Sequence, residues 1–135
     1  MSRSPAALPV DVALRLTAES NVWLCTLRRD GSPHLTPVWF VYLSETFWVG
    51  CESRSVKARN VVIDERVSLA LEGGNAPVVA EGAARVHRGG FPGPVVEAFA
   101  SKYDGWDVSR QVGPDSERVL LEIPVRRWLL AGTAQ

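Results

Sequence analysis

The stretch that decides the fold is His34-Leu-Thr-Pro-Val-Trp-Phe-Val-Tyr-Leu43, then Ser44-Glu-Thr46, then Phe47-Trp-Val-Gly-Cys51, then Glu52-Ser-Arg-Ser-Val-Lys-Ala-Arg-Asn60. The first run is bulky and apolar at both odd and even positions. It predicts a strand covered on both faces, as in a barrel wall with a helix or a partner outside. Pro37 has no N–H, so the ladder should be interrupted there, at a bulge or a sheet edge. Ser44-Glu-Thr46 turns the chain into a second apolar strand. A helix then opens near Val56 and runs to about Asp64.

Upstream, Val22-Trp-Leu-Cys-Thr-Leu27 reads as a strand, and Arg28-Arg-Asp-Gly-Ser-Pro33 carries the Asp-Gly signal of a hairpin turn. Asp11 to Thr17 reads as a short helix. Downstream, Val67, Leu69 and Leu71 alternate with Ser68, Ala70 and Glu72, a period-2 strand. Val78 to His87 is another strand, in which Gly82 marks a bulge or a close backbone approach. Gly89-Gly-Phe-Pro-Gly-Pro94 breaks the chain. Val95, Phe99 and Tyr103 lie four apart on one helix face. A polar loop, 104–116, leads to Arg118–Val125, a strand that can continue past Pro124 to Leu130. Tight turns join the first three strands into an antiparallel meander rather than a βαβ series. The expectation is a mainly β fold with flanking helices, about six strands, closed or nearly closed so that few edges are exposed.

The totals narrow the function. The chain has 135 residues, 15 acids and 15 bases, and 46% apolar residues, which predicts one domain, 1–135, with a real core and no nucleic-acid or membrane surface. No apolar run approaches the ~20 residues that span a bilayer, and Met1-Ser-Arg-Ser-Pro-Ala-Ala-Leu8 is not a signal core. A cytoplasmic protein is expected. Cys25 and Cys51 lie in strand-like runs, where buried free thiols are the ordinary outcome. His34 follows a hairpin turn and His87 ends a strand; neither sits in a nucleophile or metal motif. Glu72 and Glu81 fall at solvent-type strand positions. Of the five tryptophans most are expected in the core, with one or two lining a flat pocket or a subunit interface.

The corner at Ser53–Arg59 is the suggestive site. Ser53, Ser55, Arg54 and Lys57 crowd a strand-to-helix turn, where free N–H groups and the helix dipole favour an anion. The plainer reading is a serine-capped helix with cations on its wet face. Arg59, further along, is expected to face water.

The order of these parts resembles the pyridoxamine 5'-phosphate oxidase-like split β-barrel superfamily. The motifs are Asp30-Gly-Ser-Pro-His34, Thr36-Pro-Val-Trp39, and Ser53 through Lys57 to Asn60. The resemblance covers about Val22 to Gly132 and is nearest to the short flavin- and deazaflavin (coenzyme F420)-dependent oxidoreductase branch. It implies a six-stranded antiparallel split barrel and a homodimer with a cofactor site at each end of the interface. It implies that Ser53, Arg54, Ser55 and Lys57 bind the cofactor's phosphate. It further implies that Thr36, Pro37, Val38 and Trp39 run along its ring system, flanked by Cys51 and Glu52. Relatives often add aromatic residues from the strand equivalent to Pro77-Val-Val-Ala80; this chain has none there. The Arg-x-His segment of true pyridoxamine 5'-phosphate oxidases is also missing from Arg126–Gly132, so that specific activity is not expected.

Three functions stay open at this stage. The first is an oxidoreductase that uses F420, or alternatively FMN, to pass hydride to a small conjugated substrate. The second is a module that holds a flavin or haem-like ligand without turnover. The third is a dimeric barrel with a degenerate site. An oxidoreductase of this kind needs no catalytic side-chain constellation, because the cofactor carries the chemistry.

Overall fold

The computed structural model describes residues 8–134. Residues 1–7 and 135, the ends of the expected single domain, lie outside the described residues. The chain order is α1 (Val10–Ala18), β1 (Val22–Leu27), β2 (Pro33–Val38), β3 (Val41–Leu43), β4 (Thr46–Glu52), α2 (Val56–Ile63), β5 (Arg66–Leu71), β6 (Val78–Ala83), β7 (Arg85–His87), α3 (Gly93–Lys102) and β8 (Arg118–Ala131).

The six expected strand runs are all present, and two of them break. The run His34–Leu43 divides into β2 and β3, and Val78–His87 divides into β6 and β7. One curled antiparallel sheet results, in the order β2-β1-β5-β6-β8-β4-β3, with β7 also on β8. Its two edges, β2 and β3, are consecutive in the chain. Trp39 and Phe40 step from one edge to the other, so the barrel wall is joined there by the covalent chain and not by a ladder. That is the split.

The edge position explains Pro37. The β1–β2 register runs unbroken through Trp23↔Pro37 to Val22↔Val38. A strand with one open side tolerates a residue that lacks a donor.

β8 is long enough to serve both halves of the sheet. Residues 118–124 pair with β4, and residues 125–131 pair with β6. Pro124 falls where the partner changes. Gly82 sits opposite this bend, between two register shifts. A Cβ on Gly82 would stand 2.5 Å from the Pro124 carbonyl oxygen, which accounts for glycine at the expected close approach.

The inner faces of β1, β4, β5 and β8 supply the core. Val22 and Leu24 meet Phe47 and Val49, Leu69 and Leu71, and Val119, Leu121 and Ile123. Each fully buried side chain of this size contributes about 1.5–3 kcal/mol. α1 seals one end with Val12 and Leu16, four apart and buried. A second cluster lies outside β3, β4 and β8, where Val95 and Phe99 of α3, with Val108, cover Val41, Trp48 and Leu120.

The tryptophans correct the sequence reading. Only Trp48 is buried; Trp106 and Trp128 are half-buried, while Trp23 and Trp39 are 37% and 46% exposed. Trp23 lies on the outer face of the sheet and Trp39 beyond the end of β2, where aromatic propensity and burial part company. Cys51 is buried, whereas Cys25 points outward and is half-buried; both are free thiols. Arg59 is exposed, as expected.

Candidate functional site

The corner between β4 and α2 is built from local hydrogen bonds. Ser55 is the N-cap: its hydroxyl accepts from Ala58 N at 3.3 Å and donates to Glu52 O at 2.7 Å. That hydroxyl is therefore committed to the turn. The N–H groups of Val56 and Lys57 are the first-turn donors that the helix itself does not use. Asn60, one turn on, is buried and donates to the Thr26 hydroxyl at 3.0 Å. This bond ties α2 to β1, so the asparagine of the Ser53–Asn60 motif holds the helix in place.

The expected site residues separate into groups. Thr36 and His34 lie two apart on β2, facing the barrel interior with Val38; Pro37 and Leu35 face outward. Cys51 lies in the core beside Ser55 and Lys57, and burial pushes its thiol up against the pull of Ser55, Lys57 and Arg118. Lys57 also acts on His34. Burial, with the nearby Arg28 and Lys57 charges, holds that imidazole below its ordinary 6.5. Cys51, Ser55 and Lys57 thus lie together at the corner, and Lys57 links it to His34, which shares a face of β2 with Thr36.

Glu52, Ser53 and Arg54 turn the other way. Glu52 accepts from the Ser116 hydroxyl and pairs with Arg118 at 3.7 Å. The Ser53 N–H donates to Glu117 O at 2.8 Å. Exposed Arg54 lines a cleft with Ser53, Gln111, Asp115 and Ser116. The seat expected as one surface is thus divided by the end of β4.

Trp39 belongs to neither group. It lies past the end of β2, stacks on Tyr103 at 4.4 Å and 7°, and meets Trp106 edge-on at 5.3 Å. Arg118 lies over the Trp106 ring at 5.2 Å.

Three participants were missed as site residues. His34 has no motif around it in the sequence, yet its spacing from Thr36 puts both on one face. Arg28 reaches the same strand by donating to Pro33 O at 2.7 Å. Arg118 meets Glu52 only through the β4–β8 register, which no local pattern announces. Among the described residues, His34 Nδ1, Trp48 Nε1 and Arg118 Nε are buried without a hydrogen-bond partner.

The sequence profile of the pyridoxamine 5'-phosphate oxidase family matches residues 11–131, nearly all of the chain. The chain belongs to this family. Solved structures agree on the fold. The conserved hypothetical protein Rv2991 from Mycobacterium tuberculosis has 23% identity and a TM-score of 0.71, over 95% of this chain and 87% of that one. HutZ, the heme storage protein from Vibrio cholerae, has 15% identity and a TM-score of 0.75, over 96% and 98%. A protein named F420 reductase has 17% identity and a TM-score of 0.68, over 93% and 98%. A search among curated proteins finds no match.

For a member of the pyridoxamine 5'-phosphate oxidase family, the corner offers anion chemistry more than acid–base chemistry. Its groups are cations, N–H donors, hydroxyls, one neutral thiol and the His34 imidazole, and its one carboxylate, Glu52, is turned to Ser116 and Arg118. No group of three or more His, Cys, Asp or Glu among the described residues could hold a metal ion, and no described helix is long and apolar enough to cross a membrane.

Proposed function

We propose that this protein binds coenzyme F420, or alternatively FMN, by its phosphate at the start of α2, and uses it to reduce a small conjugated substrate. One observation carries the reading. At the start of α2 the N–H groups of Val56 and Lys57 are free, Lys57 acts on His34, His34 Nδ1 is buried without a partner, and no carboxylate is among the charges acting on that ring. A phosphate fits that set of donors. Ser55 takes a supporting role, because its hydroxyl is spent on the cap.

When bound, such a cofactor supplies the hydride. The protein's own part is to bind, orient and exclude water. Lys57 would hold the tail. Thr36 and Val38, on the inner face of β2, would pass the backbone of that strand along the ring system. Arg54, on the far side of β4, would meet whatever part of the cofactor extends past the corner.

The same reading includes a homodimer. Trp23, Leu35 at 60% exposure and Pro37 leave an apolar outer face on β1 and β2. Exposed apolar surface of this kind marks an interaction site, and a second copy of the chain suits it. Sedimentation should then show a dimer, and Leu35→Lys should weaken it.

Fluorescence titration of the purified protein with F420 and with FMN tests the cofactor. Binding of neither below high micromolar concentrations overturns the proposal. A second reading, storage without turnover, draws on the fold shared with the heme storage protein. Tight cofactor binding with no reoxidation across quinones, tetrapyrroles and nitro compounds would favour it.

A further inference from the structure

The phosphate seat contains a group that can answer the arrival of charge. His34 lies opposite Thr26 in the β1–β2 register, and the Thr26 hydroxyl is already taken by Asn60. The His34 ring is half-buried, and its Nδ1 is buried with no partner. Arg28 approaches from the hairpin turn, Lys57 from α2. Cys51 of β4, beside Lys57, adds no charge there, because burial pushes its thiol up. The charges acting on His34 are thus both positive.

We propose that His34 is the proton-accepting member of the phosphate seat: neutral in the free protein, it takes a proton from solvent as the phosphate binds and donates Nδ1–H to a phosphate oxygen. The inference rests on the reading of the corner as a phosphate seat. Its physics is a change of sign. Without an anion, a third positive charge beside Arg28 and Lys57 is repelled and poorly solvated, so the imidazole stays neutral. A bound phosphate reverses the local field and offers a charge-assisted bond to a nitrogen that otherwise has none.

The linkage sign follows. A group whose proton affinity rises on binding makes the complex hold more protons than the free protein. Affinity is then highest at low pH and falls as pH rises between the free and bound values of His34, by up to about tenfold per pH unit. F420 carries a phosphodiester of fixed charge, but its deazaflavin ring has an acidic hydroxyl, so its profile is compared between the wild type and His34→Gln. FMN, whose monoester titrates near pH 6, is read only above pH 7.

The test is calorimetric titration with F420 and with FMN at pH 7.5, in two buffers of different ionisation enthalpy. The expected result is a buffer-dependent heat showing net proton uptake. In His34→Gln the uptake should vanish and the affinity should become flat with pH. In a second measurement, His34 and His87 are the chain's only two histidines, so each ring proton can be followed by NMR in the intact protein. Saturating inorganic phosphate should move the His34 titration upward and leave His87, paired with Glu122 at 2.7 Å, in place. Cofactor binding without proton uptake, with an unmoved His34 titration, overturns this inference and leaves the seat standing. Failure of both cofactors and of phosphate to bind overturns the seat as well.

Discussion

The β-structure is interrupted at two places that matter, and they are finished in opposite ways. At Trp39–Phe40 the chain crosses the split between the sheet's two edges. Both backbone groups of Phe40 are met there: its N–H donates to the Tyr103 hydroxyl at 2.9 Å, and its carbonyl accepts from Lys102 Nζ at 2.9 Å. Tyr103 also reaches Ser20 O at 2.8 Å, and Lys102 lies 3.7 Å over the Phe40 ring. At Ser53–Ser55 the chain leaves the sheet for a helix, and only the cap is closed. Two N–H groups, a lysine and a buried imidazole nitrogen are left over. The first break is sealed by α3, and its groups have nothing more to bind. The second is left with donors to spare, which is the physical signature of a place for an anion.

The contrast should break first at Tyr103. Tyr103→Phe keeps the ring stacked on Trp39 but strands the N–H of fully buried Phe40. We expect a loss of about 2 kcal/mol of stability, the usual cost of an unmet buried donor. In urea melts the midpoint should fall with an unchanged slope. Cofactor affinity of the folded protein should not move. A weakened affinity would mean that the sealed break and the open corner are one site.

Lys57→Ala should do the reverse. Losing a charge-assisted bond to phosphate should weaken F420 or FMN by about 1.5 kcal/mol, roughly tenfold. Stability should hold, because the neutral His34 leaves no repulsion with Lys57 to be relieved. If the lysine belongs only to a wet helix face, neither quantity changes and the open corner is ordinary surface.

Much of this architecture was legible in the sequence. The hairpin is where Asp30-Gly31 placed it, with Gly31 at φ 86° and Arg28 N donating to Ser32 O at 2.9 Å. The alternation of Val67, Leu69 and Leu71 became a buried strand face, and Val95 and Phe99 are the buried pair of α3. The break at Trp39–Phe40 was hidden because a run apolar at every position looks the same whether it is one strand or two. Its cause lies more than sixty residues on, in Lys102 and Tyr103. The corner was legible as a cluster of residue types but not in its division. Whether Glu52 or Lys57 faces the core follows from where β4 ends and how β8 pairs with it, which are tertiary facts. Trp39 illustrates the same limit. Its place in the Thr36–Trp39 motif was plain, but its stacking on Tyr103 required the step across the split.

The smallest predicted effect tests how tightly the sealed break is closed. Burial among Phe40 and Leu16 lowers Lys102 from 10.5 to about 8, a little opposed by Glu19. Between about pH 8 and 10.5 the unfolded chain therefore binds more protons at this lysine than the folded one. Stability from this group must rise with pH across that window, since folding no longer has to keep a desolvated charge. Above 10 the window closes from the other side, because burial raises Tyr103 and the unfolded tyrosine ionises first. Lys102 is partly open to solvent, so the gain from pH 7.5 to 9.5 should be on the order of 1 kcal/mol or less, not the full linkage value. Denaturation curves for the wild type and Lys102→Met at those two pH values isolate it. The stability difference between them should move in the wild type's favour at the higher pH. A difference that stays constant would show that Lys102 reaches water, and that the break at Phe40 is held by Tyr103 alone.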